Sequence, residues 1–191
     1  EGWKVANNHA TITTNSGTVT INSGTVTINY GTVKTNSDTV TINSGTVMYN
    51  YGTVLYNYDT VENNDGAGTV VFNYGTVENN YDTVENNDGA GTVSINKNGT
   101  VKRNDGTVTD NQGIIGILGN SSSGNFGIVG RNTKTIVYNQ ATGSILDNRG
   151  GTVTNKVTGG YVGYPIAIDE DGFVNAFATD GNTIQAAATA A

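Results

Sequence analysis

A seven-residue repeat constrains the possible folds of this chain more than any other feature. Each unit begins with Asn, has Gly or Asp at its third position, and continues with Thr and Val. From residue 15 onward the units run NSGTVTI, NSGTVTI, NYGTVKT, NSDTVTI, NSGTVMY, NYGTVLY and NYDTVEN. A degenerate copy begins at residue 8, and weaker copies begin at residues 125, 132, 139 and 148. So short a period predicts one small structural unit stacked many times.

The residue types within each unit predict strands and exclude a helical coiled coil. Gly and Asn recur in every unit, and both are unfavourable in helix interiors. Thr-Val is β-branched and favours a strand, whereas Asn-x-Gly is typical of a turn. Each unit therefore indicates a short strand of about four residues followed by a corner. The predicted fold class is all-β, a single-chain parallel β-helix or β-solenoid.

Variation among the units predicts how many of them complete one coil. Asp replaces Gly at Asp38, Asp59 and Asp82, which is every third unit. Residues 57–79 and 80–102 read as a tandem duplication of three units. We therefore expect a three-sided solenoid with about 21–24 residues per coil. Six to seven such coils over residues 8–158 would be roughly 30 Å long, at about 4.8 Å per coil.

Two other arrangements fit short repeats. A two-sided solenoid would have a 14-residue coil and a period of two units, a period that the variable positions do not show. Three chains could also intertwine into one β-helix, but that arrangement gives no reason for a period of three within one chain.

Strand alternation predicts the direction of each side chain. The Val at position five should point inward, and position four and position six should point outward. The Asn at position one should form ladders at the corners, with each amide bonding its copy one coil away. The predicted inward ladder comprises Val19, Val26, Val33, Val40, Val47, Val54 and Val61.

Four acidic residues fall on one face of the predicted three-sided coil. They are Asp59, Glu62, Asp82 and Glu85. Carboxylates stacked one coil apart would suit a Ca²⁺ site or the acid pair of a glycosidase. The alternative is a solvated acidic stripe created by the duplication. We expect no cofactor other than this Ca²⁺.

Aromatic residues gather at two positions of the repeat. Rigid amphipathic rings suit contact with sugars or with another subunit. The alternative is ring stacking that stiffens the solenoid. The predicted columns contain Tyr30, Tyr51 and Tyr74 at one position and Tyr49 and Phe72 at another, with Tyr56, Tyr58 and Tyr81 nearby.

Pairs of outward Thr resemble the T-x-T arrays of ice-binding solenoids. They occur at Thr18-Val19-Thr20, Thr25-Val26-Thr27 and Thr39-Val40-Thr41. The resemblance implies an ice-binding surface, but the expected array is interrupted. A flat ice-binding face should not carry the charged residues that follow. The interruptions are Lys34, Met48, Leu55 and Glu62.

Composition narrows the function classes. A net charge of −7 without a run of Lys or Arg argues against nucleic acid as a partner. The chain has no Cys, hence no disulfide or thiolate metal site. We expect no membrane span, because no apolar run approaches 18 residues. The first residues show no signal-peptide core, and the absent start Met suggests a processed chain or part of a longer one. The lone His9 has no second His for a triad.

The C-terminal segment, residues 159–191, departs from the repeat and predicts a small β cap or docking element. Its pattern GYPIAIDEDGFV, followed by ATDGNTI, resembles small β domains of phage capsid-decoration and tail proteins. The repeat region, residues 1–158, resembles β-solenoid adhesins and virion fibres.

These resemblances imply a non-enzymatic structural or adhesive protein on a cell surface or virion, outside the cell. Its partners would be glycans or sister subunits, in a homotrimer or larger assembly. A polysaccharide-processing β-helix enzyme is the alternative, and an ice-binding protein is the third possibility.

Overall fold

The chain forms a long parallel β-solenoid. The computed structural model describes residues 2–118, 120–148, 150–156, 161–162, 164–168 and 174–178. The described residues contain strands and no helix, and the solenoid has about 10 turns of about 14 residues each. The predicted all-β, single-chain parallel β-helix is therefore confirmed.

Each turn has two strands, which belong to two opposed walls. Wall A consists of β1 (Lys4–Asn8), β3 (Thr18–Asn22), β5 (Thr32–Asn36), β7 (Thr46–Asn50), β9 (Thr60–Asn64), β11 (Thr76–Asn80), the first parts of β13 (Thr92–Asn104) and β14 (Thr107–Ile115), β16 (Ile128–Asn132), β18 (Ser144–Asp147) and β20 (Tyr161–Val162). Wall B consists of β2 (Thr11–Asn15), β4 (Thr25–Asn29), β6 (Thr39–Asn43), β8 (Thr53–Asn57), β10 (Thr69–Asn73), β12 (Thr83–Asn87), the remainders of β13 and β14, β15 (Gly124–Asn125), β17 (Thr135–Asn139) and β19 (Thr152–Lys156). We call the turn after a wall A strand corner A, and the turn after a wall B strand corner B.

Strand pairing shows that a coil contains two units. On wall A, Val19 is in register with Val33, and on wall B, Val26 is in register with Val40. Each partner is 14 residues away, whereas a three-sided coil would pair residues at least 21 apart. The predicted three-sided coil of 21–24 residues is therefore wrong, and the two-sided solenoid is the one that forms. Ten turns at about 4.8 Å each give a length of about 48 Å, which also replaces the shorter predicted stack.

The period of three units does not indicate three walls, because the two halves of a coil are equivalent. Both walls use the same strand and the same corner, so a unit fits equally well on either one. Asp38 and Asp82 lie at corner A, whereas Asp59 lies at corner B. The duplicated segment begins on wall B at Asn57 and again on wall A at Asn80. An odd number of inserted units thus changes walls without disturbing the fold.

Two continuous asparagine ladders run the length of the solenoid, one at each corner. The Nδ2 of Asn22 donates to the Oδ1 of Asn36 at 2.8 Å, and Asn36 repeats this bond to Asn50. The links from Asn8 to Asn148 and from Asn15 to Asn139 measure 2.6–2.8 Å. The predicted corner ladders are confirmed, with copies one 14-residue coil apart.

The same asparagines also close the corners tightly. The backbone N–H of Gly17 donates to the Oδ1 of Asn15 at 3.0 Å, and the Nδ2 of Asn29 donates to the carbonyl of Gly31 at 3.1 Å. Hydrogen bonds between an Asn side chain and the backbone of the residue two positions later are typical of Asx turns. They reverse the chain within two residues, so the next strand runs back across the coil. This reversal is the local reason for two walls instead of three.

The apolar interior is a double ladder of valine. Val19 and its copies on both walls are fully buried, as predicted for position five. Position four is half-buried and position six faces outward, as Thr18 and Thr20 show. Position seven also faces outward, since Ile21 is 40% exposed. The Asn that follows it points inward and is buried. Each regular coil therefore buries two valines and two asparagines. Among the described residues, every buried side-chain nitrogen and oxygen has a hydrogen-bond partner.

The third corner position is restricted by the coil before it. A Cβ added at Gly52 would overlap the carbonyl oxygen of Asp38, one coil earlier. Where Asp does occupy this position, the hydrogen bond from the next Thr N–H to the preceding coil lengthens. It is 3.2–3.3 Å after Asp38, Asp59 and Asp82, whereas the corresponding bonds after glycine are 2.7–3.0 Å. Each Asp compensates by accepting a hydrogen bond from the hydroxyl of that Thr.

The solenoid is less regular towards its C-terminal end. The strand of wall B is interrupted after Ile115 by residues 116–123 and resumes in β15. β20 still pairs with β18 on wall A, beyond the predicted boundary at residue 158. β21 (Tyr164–Ile168) and β22 (Val174–Ala178) then form a separate antiparallel hairpin. The rest of the predicted C-terminal cap, at residues 159–160, 163, 169–173 and 179–191, lies outside the described residues.

We predict that Asn64→Ala lowers the free energy of unfolding by about 2–4 kcal/mol. Asn64 accepts from Asn50 and donates to Asn80 and to the Thr83 carbonyl, at 2.8–2.9 Å, so its removal leaves buried groups unpaired. Asn63→Ala is the matched control, because this neighbour lies outside the ladder and makes bonds of 3.2–3.3 Å. Urea unfolding should show a loss of about 1 kcal/mol or less for the control. Equal losses of unfolding free energy in the two variants would show that the ladder bonds contribute no more to stability than the bonds of Asn63.

We predict that Gly52→Ala lowers the free energy of unfolding by about 1–3 kcal/mol. The new methyl group meets the Asp38 carbonyl, and along the described corners no two successive coils carry a side chain at this position. Gly89→Ala is the control, since its Cβ would have nothing within 4 Å. Chemical denaturation of both variants checks this. Comparable stability of the two would show that the corner relaxes freely.

Candidate functional site

The structure divides the predicted aromatic residues among four places. Tyr30 and Tyr74 lie at corner B, whereas Tyr51 lies at corner A, so the predicted column of these three is wrong. The predicted pairing of Tyr49 with Phe72 is also wrong, because Tyr49 lies on wall A and Phe72 on wall B. The full distribution is Tyr30, Tyr58 and Tyr74 at corner B, Tyr51 and Tyr81 at corner A, Tyr49 on wall A, and Tyr56 and Phe72 on wall B.

Four of these rings form two stacked pairs on neighbouring coils. Tyr56 stacks on Phe72 with centroids 5.3 Å apart, and Tyr58 stacks on Tyr74 with centroids 5.2 Å apart. The interplanar angles are 11° and 10°. Each ring therefore covers one face of its partner on the neighbouring coil. Burial and the neighbouring Asp88 carboxylate raise the pKa of Tyr74 above its usual value.

The aromatic corner is also widely exposed. Tyr30 is 59% exposed and Tyr58 is 54% exposed, the highest values among the predicted contact residues. At corner A, by contrast, Tyr51 lies against Gly66 and Tyr81 lies 5.8 Å from the Lys97 ammonium. Corner B therefore holds the two most accessible tyrosines of the predicted set, Tyr30 and Tyr58.

The two walls differ sharply in charge over the first coils. Wall A carries Lys34, Glu62 and Glu78 at position six, mixed with polar residues. From β2 to β10, the outward positions of wall B are uncharged. They are Thr11, Thr13, Thr14, Thr25, Thr27, Ile28, Thr39, Thr41, Ile42, Thr53, Leu55, Tyr56, Thr69, Val71 and Phe72. We call this set the uncharged face.

Because the solenoid has two walls, the Thr pairs and the residues expected to interrupt them lie on different walls. Lys34, Met48 and Glu62, which the sequence places among the Thr pairs, lie on wall A. Wall B keeps three consecutive T-x-T strands, β2, β4 and β6, before Leu55 follows in β8. The charged interruptions expected from the sequence are therefore absent from this wall over those three coils.

The predicted acidic ladder is dispersed. Asp59 lies at corner B, Glu62 on wall A, Asp82 at corner A and Glu85 on wall B, so the expectation that they share one face is wrong. Asp59 and Asp82 accept hydrogen bonds from Thr hydroxyls. Across the described part of the chain, no group of three or more His, Asp or Glu residues is placed to hold a metal ion.

Charged residues further along form local pairs. Lys102 Nζ lies 2.8 Å from Glu85 Oε1, one coil away on wall B. On wall A, Arg131 bonds Asp110 across one coil and, with Gln112, holds the pKa of that carboxyl below its usual value. These half-exposed pairs contribute little to stability, typically about 0–1 kcal/mol at a surface.

The loop of residues 116–123 creates two hollows that sequence reasoning missed. A cavity of about 200 Å³ lies between this loop and β13, lined by Glu85, Lys102, Arg103, Ile117, Asn120 and Ser123. An apolar groove of about 470 Å³ is lined in part by Ile114 and Leu118. The available signal was length, because the unit beginning at Asn111 has twice the usual number of residues.

Comparison with known proteins adds no family. Family models, curated proteins and solved structures all lack a match to this chain. The part of the chain that the structure describes contains no helix capable of spanning a membrane.

Proposed function

We propose that this chain is a non-enzymatic structural and adhesive rod, displayed on a virion or a bacterial cell surface. The observation that carries the proposal is the group of tyrosines at corner B, on a scaffold that repeats about every 4.8 Å. Tyr30 and Tyr58 are exposed along one edge, with Ser44 on the coil between them, and the half-buried Tyr74 stacks on Tyr58. Aromatic and hydroxyl groups in a row suit glycans, which offer alternating apolar and polar surfaces.

The construction of the rod supports this role. Its interior relies on short valines and neutral amide ladders, and among the described residues no charged side chain is buried where a change of pH would titrate it. Surface rods experience variable pH and salt, and neutral hydrogen bonds are little affected by either. Extracellular location on a cell surface or virion remains part of the proposal.

The alternative of polysaccharide processing required neighbouring carboxylates. A glycosidase places two carboxyl groups about 5–9.5 Å apart across the scissile bond. The four acids considered for that role lie at both corners and on both walls. Their dispersal favours the structural role over the enzymatic one.

We predict that replacing the three corner B tyrosines by Ala weakens glycan binding at least tenfold. Loss of a central aromatic contact typically costs more than about 1 kcal/mol, and three such losses exceed a tenfold change. Binding of the intact chain to an array of bacterial surface polysaccharides is the measurement. Tyr49→Ala, a substitution of an exposed ring on wall A, should leave binding unchanged.

Two results would count against this proposal. Unchanged binding by the triple variant would exclude corner B as the contact surface. Release of shortened sugars from the array, abolished by Asp82→Asn, would indicate an enzyme instead.

Ice binding is the second candidate function, and the three uncharged T-x-T strands of wall B favour it. Their hydroxyls and methyls repeat at about 4.8 Å along the axis and about 6.7 Å along each strand. If they bind ice, the purified chain lowers the freezing point below the melting point, and Thr27→Lys abolishes this gap. Thr20→Lys on wall A is the matched control. A chain without any such gap would remove this candidate.

A further inference from the structure

The stacked tyrosine pair at corner B brings two oxidisable phenols into contact. The ring centroids of Tyr58 and Tyr74 lie 5.2 Å apart, and the ring planes are only 10° from parallel. Tyr58 is 54% exposed and Tyr74 is half-buried, so an oxidant in solution can reach the pair. Within the part of the chain that the structure describes, no other two tyrosines stack.

The backbone holds these two tyrosines in register. The N–H of Tyr74 donates to the carbonyl of Asn57 at 2.8 Å, and the Nδ2 of Asn57 donates to the Oδ1 of Asn73 at 2.8 Å. The residue before each tyrosine is therefore bonded to the neighbouring coil through both backbone and side chain. Because neighbouring strands lie about 4.8 Å apart, the two rings start from adjacent points on the same edge.

We propose that Tyr58 and Tyr74 are a site of oxidative crosslinking, at which a peroxidase using hydrogen peroxide joins the two rings as dityrosine. Each phenol loses one electron and one proton and becomes a tyrosyl radical. The two radicals form a carbon–carbon bond between ring positions ortho to their oxygens. The hydrogens at those positions then move to the oxygens and restore two phenols. Hydrogen peroxide takes up the two electrons and two protons and is reduced to two waters.

The neighbourhood of the pair includes a proton acceptor. Asn73 is in register with Asn87, so Asp88 follows Tyr74 along corner B on the next coil. A carboxylate beside a phenol can accept the proton that the ring releases as it loses an electron. The stack therefore has an exposed ring at one end and a base at the other.

Few other side chains compete for the oxidant. The chain has no Cys, one Met and one Trp, whereas it has ten Tyr. Cys and Met are the side chains that oxidants commonly modify. A low content of both leaves tyrosine as the main oxidisable residue of this chain.

The other predicted contact tyrosines at the corners lack a phenol on the adjacent coil. Tyr30 has a serine on each neighbouring coil of corner B. At corner A, Tyr51 and Tyr81 are separated by the coil that carries Asp65. Radicals formed on these tyrosines have no stacked partner within the solenoid.

The second aromatic stack provides a matched comparison within the same chain. Tyr56 and Phe72 lie 5.3 Å apart at an angle of 11°, which is nearly the geometry of the tyrosine pair. Phe has no hydroxyl proton to lose, so this stack cannot form dityrosine. The substitution Phe72→Tyr should convert it into a second site.

The crosslink fastens two neighbouring coils covalently. A covalent link between distant residues restricts the unfolded chain, as a disulfide does. This chain has no Cys and hence no disulfide to supply such a link. The crosslinking needs no glycan, so it is independent of the proposed adhesive role.

Treatment of the intact chain at about 5 μM with a haem peroxidase and hydrogen peroxide tests the site, because intermolecular coupling is slow at that concentration. The main product should be a monomer that has lost two hydrogen atoms and shows dityrosine fluorescence. A protease specific for Glu cuts after Glu62, between the two tyrosines. It should release residues 2–62 still joined to residues 63–78, a segment whose only tyrosine is Tyr74.

Substitution by Phe keeps each ring and removes its hydroxyl. Tyr58→Phe and Tyr74→Phe should each lower the yield of the joined peptides about tenfold or more, because the remaining phenol must find a partner at much lower effective concentration. Tyr30→Phe is the matched control at the same corner, where the ring is 59% exposed, and should leave the yield unchanged. Phe72→Tyr should add a second crosslink, to Tyr56. Far-ultraviolet circular dichroism confirms that each variant is folded.

Three results would overturn the proposal. The first is a joined peptide that persists in Tyr58→Phe, and the second is dityrosine that forms mainly between chains. The third is a Phe72→Tyr chain without a second crosslink, which would show that a stack of this geometry does not lead to coupling. All of these measurements are made without glycan, so their failure leaves the test of glycan binding intact, and the reverse also holds.

Discussion

The buried asparagine at the end of each strand is the interaction on which the rest of the solenoid depends. A coil of about 14 residues encloses too little space for a conventional apolar core. Its corners must nevertheless satisfy backbone groups that face inward. The Asn amide does this in two directions, bonding the corner beside it and the Asn of the next coil. Chains of such bonds polarise one another, so each link strengthens its neighbours.

Equivalence of the two half-coils follows from this corner. Any unit that carries Asn, a small third residue and Val fits either wall, so the array can lengthen by odd or even numbers of units. The outward positions are under no such restriction. From β2 to β10 they diverge, so that wall A carries charged residues and wall B carries none, although the interior behind them is the same.

Function on such a scaffold depends on which outward residues share a surface. Residues 14 apart become neighbours, and residues seven apart are placed on opposite walls. Corner B thereby gathers exposed tyrosines, whereas acids that look adjacent in the repeat are separated. The proposed glycan contact uses one edge of the rod, corner B, and leaves the outward residues of both walls free.

The sequence by itself determined the strand-and-corner unit, the inward Val and the Asn ladders, because these depend on residue types within seven positions. It could not determine the number of walls. That number depends on whether a corner turns the chain by 120° or 180°, and the decision lies in the hydrogen bonds that Asn makes with the residue two positions later. The period of three in Asp38, Asp59 and Asp82 did not indicate the number of walls. Because the two half-coils are equivalent, the solenoid accepts an odd or an even number of inserted units. Only the tertiary structure decided which aromatics stack, where the acids lie and that wall B is uncharged from β2 to β10.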